Sequence, residues 1–297
     1  MQTDPNSTQP LIQRHEGQFK GHQGLELFFQ TWTIPAARGT LVISHGISEH
    51  SECYSNMAVT MAGKGWNTLA WDLRGHGRSE GKRGYVEDFN FYALDLKCFL
   101  HFLKDTGKLQ GPFTILGHSM GGLITLRYMV DRDTSSAADR AVAPKSLVLS
   151  SPLLGIAMEV PFIKDAAAKL LKHIMPSITL SNEIHYEYLT HDPAALKSYP
   201  LDPLRHDKIS PALYFGMYDN MAYVKERVDR IQLPTLIQAA GQEKVVSLPD
   251  TRAFFEKIAF NDKKLIVYDE SLHEIYNDLT RDTVLNDLDT FLTRTTK

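Results

Sequence analysis

The chain has 297 residues, 43% hydrophobic and 23% charged, a balance that suits one large α/β domain or a core carrying an inserted subdomain. A formal net charge of −3 leaves no basic footprint for nucleic acid. No run approaches the ~20 apolar residues that a membrane-crossing helix needs, so no such span is expected.

The chain starts with a polar stretch, Met1 to Pro10, that lacks a cationic start and an apolar segment. No signal peptide is read there, and a cytoplasmic location is expected. Residues 1–13 read as loosely attached. Residues 18–33 carry a hairpin signal, with Gly21 and Gly24 turning the chain ahead of Leu25-Glu26-Leu27-Phe28-Phe29. A strand is predicted at 40–44, a helix at 54–63 and a strand at 66–71. Apolar positions Phe91, Leu94, Leu96, Phe99, Leu100 and Leu103 predict a helix over 89–104. A strand at 113–116, a helix at 123–130 and a strand at 146–149 continue the alternation. This order implies a mostly parallel sheet covered on both faces, with function gathered at the carboxyl ends of its strands. Cys53 and Cys98 lie far apart and indicate neither a disulfide framework nor a C-x-x-C site.

The alternation breaks after Ser151-Pro152, and from there to about Arg230 the pattern is helical and loop-like, with no convincing strand. Residues 160–175 are amphipathic, with Phe162, Ile163, Ala166, Ala167, Leu170, Leu171 and Ile174 facing away from Lys164, Asp165, Lys169 and Lys172. That face suits either packing on the core or peripheral contact with a membrane surface. Residues 210–231 read as a helix whose Tyr214, Met217, Tyr218 and Met221 stripe suits an acyl pocket or ordinary packing. A strand at 233–239, a helix at 249–258, a strand at 263–268 and a final helix toward Leu292 resume the core. The expected organisation is a core in two parts, 14–151 and 231–297, with a helical cap inserted at 152–230.

Gly117-His118-Ser119-Met120-Gly121 joins a predicted strand to a predicted helix. This is the G-x-S-x-G nucleophile elbow of α/β-hydrolases, in which Ser119 stands on a strained turn with its Oγ exposed above the sheet. A serine hydroxyl needs a base within reach, and the chain offers 12 histidines. The order serine, acid, histidine places the base after the last core strand, at His273, and the acid after the preceding strand. The loop from Ala239 to Val246 offers one carboxylate, Glu243, with Asp262, Asp269 and Asp278 as competitors. An oxyanion would be held by the N–H of Met120 and by an N–H of His45-Gly46-Ile47, for which Ile47 is the choice. His45 and His118 are expected to support the site rather than act as bases. His185, His191 and His206 lack metal-ligand spacing, and no metal or organic cofactor is expected. Arg74, Arg78, Lys82 and Arg83 form a basic cluster that suits a phosphate headgroup or a solvated loop.

His45-Gly46-Ile47-Ser48-Glu49-His50, Asp72-Leu73-Arg74-Gly75-His76-Gly77-Arg78-Ser79, residues 117–122, Ser151-Pro152-Leu153 and Leu272-His273-Glu274 fall in order at familiar spacings. Together they resemble the monoacylglycerol lipase and lysophospholipase branch of serine α/β-hydrolases, over about residues 18–295. The stretch from His191-Asp192-Pro193 through Asp202-Pro203-Leu204 to Lys208-Ile209 resembles the same branch. The resemblance implies an α/β-hydrolase fold with a helical cap and a triad of Ser119, Glu243 and His273. It also implies an oxyanion hole of Ile47 and Met120. Substrate contacts are expected at Glu49 and Tyr276, and, from the stripe on the 210–231 helix, at Met217 and Met221. The expected substrate is a single-chain lipid ester, lysophospholipid or monoacylglycerol, cleaved through an acyl-enzyme. A broad carboxylesterase, a thioesterase, a serine peptidase and an inactive binding protein are the alternatives. Two positions depart from the branch. Cys53 stands where HGxGEHxxRY has arginine, and Tyr276 stands where a histidine follows the base. The stretches around Glu243 and His273 look closer to bacterial lysophospholipases of the L2 type.

Overall fold

The computed structural model of the chain describes residues 11–132, 135–158, 171 and 174–296. An antiparallel hairpin, β1 (Gln13–Lys20) and β2 (Glu26–Thr33), precedes β3 (Gly39–Ser44), α1 (Ser55–Gly63), β4 (Trp66–Trp71) and α2 (Asn90–Asp105). Then come β5 (Phe113–His118), α3 (Met120–Asp131), the short α4 (Ala137–Ala141) and β6 (Ser146–Ser150). After an excursion of more than eighty residues the core resumes. The excursion holds β7 (Leu180–Ser181), α5 (Pro193–Ser198), β8 (Lys208–Ile209) and α6 (Pro211–Glu226). The resumed core consists of β9 (Thr235–Ala240), α7 (Leu248–Lys257), β10 (Lys263–Tyr268) and α8 (Arg281–Thr295). Among the described residues no helix is long and apolar enough to cross a membrane.

Eight strands form one sheet in the order β1-β2-β4-β3-β5-β6-β9-β10, parallel from β4 onward. The α/β-hydrolase expectation is met. Strands β3, β4, β5, β6 and β9 are buried along their whole length, which explains why they are mostly apolar rather than alternating. One sheet face packs Val42, Leu69 and Ile115 against Leu96, Phe99, Leu123 and Leu126 of α2 and α3. The other packs Leu41, Ile43 and Leu116 against Met57 and Met61 of α1 and Leu285 and Leu288 of α8. Because crossovers connect the parallel strands, their carboxyl ends point one way, and the loops after β3, β5, β9 and β10 emerge together.

Two expectations need correction. The N-terminal strand starts at Gln13, inside the stretch read as loosely attached, because β1 is secured by full pairing with β2. The excursion holds a strand pair, Leu180 opposite Ile209 and Ser181 opposite Lys208, too short for a period of two to register in sequence. Of the amphipathic stretch 160–175, residues 160–170, 172 and 173 lie outside the described residues. Within its end, Ile174 is 65% exposed rather than turned inward.

Candidate active site

The elbow follows from backbone sterics. Ser119 sits at φ 51°, ψ −118° between the last residue of β5 and the first of α3, and its side chain does not cap the helix. A Cβ on Gly117 would come within 2.5 Å of the Gly121 carbonyl oxygen and 2.7 Å of the Gly122 Cα. A Cβ on Gly121 would overlap the Ser44 and His45 carbonyl oxygens. The turn is therefore closed by backbone on both sides. Ser119 N–H donates to Ser150 O at 2.9 Å, and Leu153 N–H donates to Ser119 O at 3.0 Å, tying the elbow to the end of β6. Gly121→Ala is expected to cost more than ~3 kcal/mol, since no flexible side chain can yield. Thermal melting of that variant checks this, and a loss below 1 °C would contradict it.

His273 lies on the loop after β10, and its backbone N–H donates to Tyr188 O at 3.4 Å. Its Nδ1 is 2.8 Å from Glu243 Oε2, with both side chains almost fully buried. A carboxylate accepts, so Nδ1 carries the proton and Nε2 keeps its lone pair. The other Glu243 oxygen accepts from the N–H groups of Val245 at 2.9 Å and Val246 at 3.3 Å, which fixes the carboxylate. Burial opposes charge on both groups. The Glu243 carboxylate nonetheless holds His273 above the usual histidine value, and the imidazolium holds Glu243 below the usual carboxylate value.

The competing acids are engaged elsewhere. Asp278 is fully buried and accepts from the N–H groups of Leu272, His191 and Leu279, so it shapes the loop carrying His273. Asp262 pairs with Arg294, and Asp269 is exposed. His45 donates from Nδ1 to Gly46 O and accepts Leu73 N–H at Nε2, bracing the loop after β3. His118 Nδ1 bonds Ser150, and burial followed by the neighbouring His273 pushes its titration down to about 3. Neither ring has the partners of a base.

Ser119 and His273 line one cavity of about 520 Å³ together with Gly46, Ile47, Glu49 and Glu274. Neither the Ile47 nor the Met120 N–H donates to an acceptor among the described residues. Met120, as the first residue of α3, has no helical acceptor behind it. Glu49 is drawn inward, its Oε2 accepting from Gly46 N–H at 2.7 Å and from the Tyr54 hydroxyl at 3.0 Å. It therefore braces the loop as well as bordering the cavity. Burial, reinforced by the Glu274 charge, pushes its titration up.

Three expected substrate contacts fall outside the cavity. Tyr276 turns away from it and donates its hydroxyl to Gln238 at 2.6 Å, within the opposite core layer. Met217 and Met221 are buried in the other core layer, where α6 meets α3. The basic cluster is likewise committed internally. Arg74 is forked on Asp95 at 2.6 and 2.8 Å, Arg78 pairs with Glu16, and Lys82 and Arg83 donate to backbone carbonyls. His191 bonds Asp278, and His206 stacks on His76.

Sequence reasoning missed Arg205, Tyr199 and Glu274. Arg205 is almost fully buried on the cavity wall, 3.2 Å from Glu274 Oε1 and 3.4 Å from Cys53 Sγ. A guanidinium thus does reach the position at Cys53, but it comes from the excursion. Two signals existed in the sequence, the arginine following Asp202-Pro203-Leu204 and the glutamate following the base. His50, Cys53 and Asp202 bring metal-type ligand atoms within 4.8 Å of one another, and Arg205 already supplies positive charge beside that thiol. Burial pushes the Cys53 thiol well up, which removes it as a nucleophile.

The sequence pattern of the Hydrolase_4 family, described as serine aminopeptidase S33, matches residues 35–280. A monoacylglycerol lipase of Mycolicibacterium smegmatis is 27% identical over 281 residues, covering 94% of this chain and 97% of that one. A monoglyceride lipase of Rattus norvegicus is 27% identical, covering 98% and 92%. The crystal structure of a monoacylglycerol lipase from Paleococcus ferrophilus is similar with a TM-score of 0.76 at 27% identity, over 95% of this chain and 99% of that one.

Proposed function

The chain belongs to the serine aminopeptidase S33 family of hydrolases, and from that premise we propose that this serine ester hydrolase cleaves neutral single-chain lipid esters, monoacylglycerols foremost. The observation that carries the reading is the 2.8 Å contact between His273 Nδ1 and Glu243, on a cavity that also exposes the elbow serine. Residues 152–230 act as the cap. His273 Nε2 takes the proton as Ser119 Oγ attacks the ester carbonyl carbon, and the oxyanion lies on the N–H groups of Ile47 and Met120. The intermediate collapses to the acyl-enzyme, and His273 gives its proton to the departing alcohol. Water then attacks the acyl carbon with His273 again as base, releasing the fatty acid and restoring Ser119.

The charge of the wall supports a neutral head group. Glu183, Glu187, Asp202 and Asp207 border the cavity beside the self-cancelling Arg205–Glu274 pair and Glu49, whose titration burial pushes up. An anionic phosphodiester entering there meets like charge, whereas hydroxyl groups find acceptors. Ile174, Met175, Leu180 and Leu201 are exposed on the cap, which supports contact with a lipid surface. The same carboxylate wall would suit the ammonium group of a peptide, which makes an aminopeptidase the second reading. Hydrolysis of monoacylglycerol, lysophosphatidylglycerol and aminoacyl anilides, with short matched acyl chains, separates these readings. The kcat/KM for monoacylglycerol is expected to exceed that for lysophosphatidylglycerol at least about tenfold. Equal rates would overturn the head-group reading, and faster anilide cleavage would overturn the ester reading.

A further inference from the structure

Arg205 belongs to the cap, yet two of its partners, Glu274 and Cys53, belong to the segments that carry the base and follow the oxyanion loop. Its guanidinium stacks 3.8 Å over the Tyr199 ring and forks onto Glu274, with NH1 3.2 Å from Oε1 and NH2 3.5 Å from Oε2. Tyr199 donates its hydroxyl to the same carboxylate at 2.6 Å, and Asn277 Nδ2 donates at 3.0 Å. The Glu274 backbone N–H donates to Leu189 O of the cap at 2.8 Å. Glu274 is the residue after His273, so among the several bonds that join cap to base loop, this one is a buried ion pair placed directly beside the base. Both partners are about 96–97% buried as side chains, where an uncompensated charge is strongly unfavourable.

We propose that Arg205 is a positioning residue for the acyl-transfer reaction: it helps hold the His273 loop to the cap and cancels the carboxylate charge of Glu274 beside the base. The inference rests on the reading of His273 as that base. The charged groups facing His273 come from every surrounding element. Glu243 and Lys244 follow β9, Glu49 follows β3, His118 ends β5, Glu274 shares the loop, and Glu183, His185, Glu187, Asp202, Arg205, His206 and Asp207 come from the cap. His118 is held neutral, and Lys244 lies out over the Tyr188 ring. Arg205 is therefore the buried cation closest to the Glu274 charge. With it removed, the Glu274 carboxylate biases the imidazole toward its protonated form, in which it cannot accept the serine proton.

The test is the pH dependence of kcat/KM. In the wild type the acid limb reports deprotonation of His273 and should lie above pH 6.5, since Glu243 holds that group high. Arg205→Met is expected to move the limb up by about one pH unit, while Arg205→Lys leaves it near the wild-type position. Glu274→Gln leaves the guanidinium unopposed and moves the limb down, which provides the reading if Arg205→Met fails to fold. The double variant should return toward the wild type. Limbs that stay within 0.3 unit (about the error of such titrations) overturn the inference, as does a uniform loss of kcat at every pH. If a fluorophosphonate fails to label Ser119 in the wild type, the base assignment falls instead. Labelling with unmoved limbs overturns Arg205 alone.

Discussion

Ser119→Ala is expected to lower kcat for ester hydrolysis by about a million-fold while the fold stays intact. The residue removed carries the attacking oxygen. The Cys53 thiol is held protonated by burial, and Ser48 Oγ accepts a hydrogen bond from Asn182 Nδ2 on the loop after β3. What survives should be the contribution of binding and the oxyanion donors, about 10³–10⁴ over water. Stability should change little. The Ser119 side chain caps nothing, and alanine meets the same left-handed backbone at φ 51°. Fluorophosphonate labelling, steady-state kinetics and a thermal melt check the three parts of this expectation. Activity within about a hundredfold of wild type would show that the acyl group is carried elsewhere.

The parts of the site that were readable in sequence are those in which one local pattern forces one geometry. Gly117 and Gly121 bracket a serine because the backbone of β3 and α3 leaves no room for a Cβ, and this mark appears in five consecutive residues. The strands followed from short, mostly apolar runs, because burial on both faces leaves few polar positions, such as Thr114 and Gln238. His273 and Glu243 followed from the order of strands whose carboxyl ends converge. What failed depended on direction within a loop or on contacts between distant segments. Tyr276 is three residues beyond His273, but the turn built on Asp278 points it back to Gln238 beneath the sheet. Loop spacing carries no facial period from which that could be read. Met217 and Met221 do share a helical stripe with Tyr214 and Tyr218. The methionines are buried in the core, Tyr214 is half-buried against it, the two hydroxyls meet each other at 3.3 Å and Tyr218 is 39% exposed. Arg205 and Glu274 are 69 residues apart, and each reads alone as an ordinary charged residue. Their meaning lies in a shared burial that composition cannot express.

Glu243→Gln provides the second large effect, an expected drop in kcat of about 10⁴ with KM little changed. The substituted side chain can still accept from Val245 and Val246 N–H, so the loop should keep its shape. What changes is the group facing Nδ1, a donor NH2 in place of an acceptor. His273 then keeps its proton on Nε2, the atom that must take the serine proton, and the imidazolium loses the charge that stabilises it. Glu243→Asp separates charge from reach. A shorter carboxylate retains the sign but lengthens the 2.8 Å contact, so its activity should fall between that of the wild type and that of the glutamine variant. Asp278→Asn is the control. That residue holds Leu272, His191 and Leu279 N–H, so its loss should lower the melting temperature more than it alters chemistry at the remaining folded sites. A glutamine variant with near wild-type turnover, beside a folded but inactive Asp278→Asn, would transfer the acid role from Glu243 to Asp278. The two oxygens of Glu243, one on the imidazole and one on the backbone, argue for the opposite result.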